Sequence, residues 1–116
     1  QYSNLRANHV LLISIYSGSM LNIPVSVYEE VADRLREALG MKDYFSGSIE
    51  AHDDDYDYRL TATLIVYRRR DGYAGCEFEA IDDLVPVWWE FHSYDMEGEL
   101  LNDFDFSFLR GMLVAE

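Results

Sequence analysis

The chain has 116 residues, of which 49% are hydrophobic and 15% aromatic, and its formal net charge is −13 at pH 7. This composition is that of one globular domain, and it excludes a disordered chain. No apolar run approaches the ~20 residues that a transmembrane helix requires, and the negative charge disfavours direct binding to nucleic acid or to an anionic membrane surface.

The acidic residues are concentrated in the second part of the chain. Residues 71–116 contain twelve acidic side chains and one basic side chain, Arg110. Cys76 is the only cysteine, so the chain forms no internal disulfide and has no multi-cysteine zinc site. A lone cysteine favours a reducing, cytoplasmic location. Because the chain begins at Gln1 rather than at methionine, processing or secretion also stays open.

The first predicted elements are a strand and a helix. Residues 9–16, HVLLISIY, predict a strand with apolar residues on both faces. Residues 26–40 predict a helix, because apolar residues repeat every four positions, at Val27, Val31, Leu35 and Leu39. Ser26 and Glu29 match a capping box at the start of this helix, and Gly40 matches the left-handed residue that ends it.

Two further strands are predicted over residues 44–52 and 58–69. Alternation in the second of these predicts an inward set, Leu60, Ala62, Leu64 and Val66, and an outward set, Arg59, Thr61, Thr63, Ile65, Tyr67 and Arg69. A three-residue turn at 70–72 is then favoured over a two-residue turn. It pairs Val66 with Cys76 and keeps the acidic residues of the next strand away from the apolar face.

The last predicted elements are a strand and a short helix. DDLVP, residues 82–86, predicts a break before a strand over 87–94 that turns Val87, Trp89 and Phe91 inward and Trp88, Glu90, His92 and Tyr94 outward. The spacing of Phe104, Phe108 and Met112 fits a C-terminal helix capped by Asn102 or Asp103. The prediction for residues 1–116 is therefore a single α+β domain. Its mainly antiparallel sheet has about five strands, in the order β-α-β-β-β-β-α, with the long helix on one face.

Aspartates cluster at the predicted turn in AHDDDYDYRL, residues 51–60. Asp53, Asp55 and Asp57 have the spacing of the first three EF-hand ligands, but the required Gly and Glu positions of that loop hold other residues. One hypothesis is a looser Ca²⁺ or Mg²⁺ site in a metal-dependent hydrolase, formed by His52, Asp53, Asp55 and Asp57. The pattern favours the alternative, in which the aspartates cap a solvated turn and no cofactor is bound.

The outward positions of the later strands mix aromatic and charged side chains, at Tyr67, Arg69, Trp88, Glu90, His92 and Tyr94. Aromatic residues and arginine are enriched at the centres of protein interfaces. We therefore predict a non-enzymatic interaction module whose partner is another protein or a second copy of the chain, as in a homodimer. The competing structural interpretation is that the C-terminal phenylalanines cover this face as a second core.

A further functional hypothesis follows from the acidic residues of 71–116. Such a chain can imitate the charge of nucleic acid and bind a basic DNA- or RNA-binding protein. Motifs for nucleophilic catalysis or phosphate binding do not occur, because the sequence has neither a nucleophile elbow nor a phosphate-binding glycine loop. The sequence therefore favours a binding protein over an enzyme.

Overall fold

Two helices and four strands make up the part of the chain that the computed structural model describes, residues 20–71 and 78–114. In chain order they are α1 (Val25–Leu39), β1 (Tyr44–His52), β2 (Asp57–Asp71), β3 (Phe78–Asp95), β4 (Gly98–Leu100) and α2 (Phe106–Leu113). The strands form one antiparallel sheet in the order β1-β2-β3-β4. The predicted α+β class is confirmed, with four strands where about five were expected. The strand predicted at 9–16 and Cys76 lie outside the described residues.

Helix α1 begins one residue earlier than predicted and without the predicted capping box. Its N-cap is Pro24, whose carbonyl accepts from the amides of Val27, at 3.0 Å, and Tyr28, at 3.4 Å, and no side chain caps this end. The capping-box prediction is wrong because Pro24, in an extended conformation, sets the boundary and places Ser26 inside the helix. Gly40 ends the helix with φ 53°, as predicted, and its amide donates to the Arg36 carbonyl.

The alternation predicted in the second strand is confirmed by β2. Its inward set, Leu60, Ala62, Leu64 and Val66, is buried in a core shared with α1. The register continues this pattern into β1, where Ile49 lies opposite Leu60 and Phe45 opposite Leu64. We call the sheet face that packs against α1 the inner face and the opposite one the outer face.

Strand β3 differs most from the sequence predictions. Its pairing with β2 runs from Asp57↔Tyr94 to Asp71↔Phe78, so residues 72–77 connect the two strands and the predicted turn at 70–72 is wrong. Val66 lies opposite Leu84, so its predicted pairing with Cys76 is also wrong. The long strand explains both errors, because the partner of Val66 lies further along the chain than a tight turn allows.

The predicted break at residues 82–86 is also wrong, because β3 runs through it with two irregularities. The register shifts between Thr63 and Leu64 and again between Tyr67 and Arg68. Each shift adds a residue to β3, which is how a β-bulge accommodates proline and polar residues within a ladder. Arg110 of α2 secures this region by donating from Nε to the Leu84 carbonyl, at 3.1 Å, and from Nη2 to Asp83.

The chain beyond β3 returns to the first helix. Leu21 forms a parallel bridge with Asn102, and the Ile23 amide donates to Asp103 Oδ1 at 2.8 Å. Helix α2 is confirmed, but its cap is Asp105, whose Oδ1 accepts from the Ser107 amide at 2.9 Å. Asn102 and Asp103, the predicted caps, are engaged elsewhere, since Asn102 Oδ1 accepts from the Phe104 amide.

The C-terminal phenylalanines belong to the inner face. The rings of Phe104 and Phe91 stack with centroids 3.9 Å apart, and Phe106 stacks on Trp89 at 5.7 Å. The interpretation in which they cover the outer face is therefore wrong. Neither described helix has the length and apolar character needed to cross a bilayer.

Candidate protein-interaction face

The outer face carries a row of apolar side chains across three strands. Tyr44 of β1 lies opposite Ile65 of β2, and Ile65 lies opposite Val85 of β3. All three are exposed, at 55%, 36% and 38%. Tyr67, two positions further along β2, is 53% exposed, and Trp88 also lies on this side, opposite Thr63. We call these five residues the apolar end of the outer face.

The middle of the outer face is polar and built from small side chains. Ser46 Oγ and Thr63 Oγ1 are 2.9 Å apart, and Ser48 Oγ and Thr61 Oγ1 are 2.8 Å apart. Both pairs are cross-strand neighbours of β1 and β2, so each hydroxyl bonds another hydroxyl within the sheet. Short side chains here allow a partner to approach the sheet closely.

Charged residues follow the hydroxyl pairs towards the far end of the outer face. One cross-strand row consists of Glu50, Arg59 and His92. The next row consists of His52, Asp57 and Tyr94. Arg59 pairs with Glu50, with Nε 3.5 Å from Oε2, and its guanidinium lies 5.9 Å from the centroid of the Tyr94 ring. A groove of about 460 Å³ is lined by Glu50, His52, Asp57, Arg59 and Tyr94, together with Ala51 and Tyr58.

His92 is buried between two carboxylates. Its Nε2 is 2.6 Å from Glu90 Oε1, and its Nδ1 is 2.5 Å from Glu99 Oε2. Only an imidazole protonated on both nitrogens can donate to both carboxylates. The sequence predicted that Glu90 and His92 share a face, but it missed Glu99, because β4 is three residues long and has no alternating pattern. The contact between His92 of β3 and Glu99 of β4 links these two strands.

The aspartate cluster closes the turn between β1 and β2. Asp53 Oδ1 accepts from the amides of Asp55, at 3.0 Å, and Tyr56, at 2.9 Å, while Oδ2 accepts from the Tyr58 hydroxyl at 2.7 Å. Asp95 closes the β3–β4 turn in the same way, accepting from the amides of Glu97 and Gly98. In an antiparallel meander these two turns lie at the same end of the sheet, where a cavity of about 200 Å³ separates them.

The Asp53–Tyr58 hydrogen bond shifts the pKa of both groups. Partial burial acts to raise the pKa of Asp53, but the hydrogen bonds from Tyr58 and from two amides outweigh it and lower the pKa below its usual 3.8. Burial first, and then the Asp53 carboxylate, raise the pKa of Tyr58 well above its usual 10.0. Both shifts favour the state in which Tyr58 donates to an ionised Asp53.

The predicted metal ligands are divided between two concavities. Asp53 and Asp55 line the cavity between the turns, His52 lines the neighbouring groove, and Asp57 lines both. In residues 20–71 and 78–114, no group of three or more His, Cys, Asp or Glu side chains is arranged to hold a metal ion. The metal hypothesis stays a prediction, and the contacts observed for Asp53 are those of a turn cap.

The predicted interface residues are spread along the outer face. Tyr67 and Trp88 belong to the apolar end, Glu90 lies opposite Thr61 in the polar middle, and His92 and Tyr94 belong to the charged rows. Arg69 Nη1 is 2.6 Å from Asp82 Oδ1. Tyr44 and Val85 were missed, because their alignment with Ile65 depends on the β1–β2 and β2–β3 registers. Comparison with protein-family models, with curated proteins and with solved structures gives no match.

Proposed function

We propose that this chain is a protein-interaction module and that the outer face is its binding surface. The row of Tyr44, Ile65 and Val85 carries the proposal, because three large apolar side chains from three strands are aligned and exposed. Large contiguous apolar patches are uncommon on monomeric proteins and typically mark interaction sites. Tyrosine is also among the residues that contribute most to binding energy at interface centres.

The contents of the two faces support this assignment. The inner face is filled by α1, α2 and the C-terminal phenylalanines, so the apolar residues of the outer face are not needed for that core. In each hydroxyl pair at the middle, one hydroxyl donates to the other within the sheet. A partner that covers the pairs therefore needs to accept from only one O–H of each, so their burial costs less than that of unpaired hydroxyls.

Imitation of nucleic acid is a second hypothesis, and the distribution of carboxylates gives it less support. Exposed acidic residues lie on α1, at Glu29, Asp33 and Glu37, as well as at the turns of the sheet. Helix α1 covers the inner face, so these charges lie on both sides of the domain. A phosphate-like row requires carboxylates along one surface.

The test compares two exposed apolar positions on opposite sides of the domain. Tyr67 is 53% exposed on the outer face, and Val25 is 54% exposed at the start of α1. The wild-type chain, Tyr67→Ser and Val25→Ser are used to capture proteins from the native source, and a protein retained by the wild type is purified for affinity measurements. We expect Tyr67→Ser to weaken its binding by about tenfold or more and Val25→Ser to leave it unchanged. Equal affinities for all three chains would contradict the proposal.

A further inference from the structure

We infer that the outer face binds a basic segment of another protein, with apolar side chains at one end of the segment and lysine or arginine at the other. This inference rests on the proposed function and adds the chemistry of the partner. Ile65 marks the apolar end and Asp57 the charged end, eight positions apart on β2, which corresponds to about 26 Å of extended strand.

The carboxylates at the charged end determine which partner fits. Six of them come from the two turns and their flanks: Asp53, Asp54, Asp55, Asp57, Asp95 and Glu97. Among the ion pairs between described residues, none involves these six, and the nearby Arg59 pairs with Glu50 instead. The field at this end of the sheet therefore attracts cations.

The groove beside these carboxylates is a concave site that can accommodate a cationic side chain. Glu50 and Asp57 line it together with the ring of Tyr94. Carboxylates form charge-assisted hydrogen bonds with guanidinium and ammonium groups, and an aromatic ring face attracts the same cations. Arg59 already lies over this ring and pairs with Glu50, so the carboxylate of the groove that is left for an incoming cation is Asp57, next to the carboxylates of the turns.

A second copy of the chain fits this face poorly. If two outer faces pack with like ends together, the six carboxylates of one copy meet those of the other. If they pack with opposite ends together, the apolar row covers carboxylates and desolvates them. An offset dimer that joins only the apolar ends uses five side chains per copy, whereas stable interfaces use roughly 20–30 residues a side.

The experiment uses the full chain and two synthetic peptides. In the first, three leucines are followed by a Ser-Thr spacer and four arginines; in the second, glutamates replace the arginines. Binding is measured by fluorescence anisotropy at 50 and 300 mM NaCl. We expect the arginine peptide to bind, with an affinity that falls as salt screens the charges, and the glutamate peptide not to bind. Ile65→Ser should weaken binding of the arginine peptide.

Two double variants separate a specific site from general attraction to an acidic protein. Asp54→Asn/Glu97→Gln removes two charges at the turns, and Glu29→Gln/Glu37→Gln removes two charges from α1. We expect the first to weaken arginine-peptide binding by about threefold or more and the second to change it little. Equal weakening by both double variants would overturn the inference, because the arginine peptide would then be attracted to any acidic surface of the domain.

Sedimentation of the wild type and of Ile65→Asp distinguishes failure of the inference from failure of the proposed function. A monomeric wild type that binds the arginine peptide supports the inference. A wild-type dimer that Ile65→Asp dissociates overturns it, since a second copy then occupies the face, and the proposed function survives. Absence of both peptide binding and self-association overturns the inference, and the capture experiment with Tyr67→Ser then decides the proposed function independently.

Discussion

Two neighbouring residues of β2 show how differently the two faces of the sheet are used. Leu64 points inward and is fully buried against the core, whereas Ile65 points outward and is 36% exposed. Their side chains are similar in size and hydrophobicity, and they belong to the same continuous strand. Burial of Leu64 stabilises the fold, whereas Ile65 keeps exposed apolar surface in the part of the chain that the structure describes. The hydropathy of a residue therefore does not distinguish these roles, but its position in the alternation does.

The largest expected effect on the free energy of unfolding comes from truncating Leu64, with the same truncation of Ile65 as its control. Leu64→Ala should lower the free energy of unfolding by about 2–5 kcal/mol, because it removes buried methyl groups and leaves a cavity. Ile65→Ala, the matched control, should lower it by less than about 1 kcal/mol. Urea denaturation of both variants measures the two values. Similar losses would show that the outer face is packed as tightly as the inner one.

A smaller effect on stability is expected at the turn between β1 and β2, where Asp53 accepts a hydrogen bond from Tyr58, a residue of the inner face. Asp53→Asn replaces the carboxylate that accepts from the Tyr58 hydroxyl and from two amides. We expect it to lower the free energy of unfolding by about 1–2 kcal/mol. Asp54→Asn, which changes an exposed neighbour in the same turn, is the control and should have little effect.

The hydrogen bond between Asp53 and Tyr58 also predicts how the stability of the fold depends on pH. The lowered pKa of Asp53 means that its contribution is present above its usual pKa of 3.8 and is lost as the pH falls below that value. The raised pKa of Tyr58 means that its contribution is present below 10.0 and is lost as the pH rises above that value. Urea denaturation across this range should therefore show less alkaline loss in Tyr58→Phe than in the wild type. An unchanged alkaline loss would contradict the assignment.

Helix capping provides a test with an effect of about 1 kcal/mol. Asp105→Ala removes the side chain that accepts from the Ser107 amide at the start of α2, and should lower the free energy of unfolding by about that amount. Ser26→Ala, at the position where the sequence suggested a cap for α1, should have little effect, because no side chain caps that helix. A loss from Ser26→Ala equal to that from Asp105→Ala would show that the predicted capping box forms.

The sequence predicted those elements whose periodicity lies within a single segment. The buried stripe of α1 and the alternation of β2 are of this kind, and both are confirmed. N-capping depends on single residues, and there the predictions were wrong, because the N-caps are Pro24 and Asp105 instead of Ser26 and Asn102 or Asp103.

The register of β3 was not predictable in the same way. Its bulges interrupt the alternation near Pro86 and Asp82, so the sequence resembles two short strands with a break between them. The apolar end of the outer face depends on this register, since Val85 aligns with Ile65 only when the bulges are in place. The His92–Glu99 contact was missed for a related reason, because it requires β4 to return beside β3.

The central claim, that the outer face is a binding surface and not a second core, is tested most directly by the melting temperature of one variant. Ile65→Ser/Tyr67→Ser replaces two apolar side chains of that face in the full chain. If the face serves a partner, the variant should melt within about 4 °C of the wild type, because surface substitutions change stability little. A fall of more than about 10 °C would show that the chain itself packs against this face, and would contradict the account.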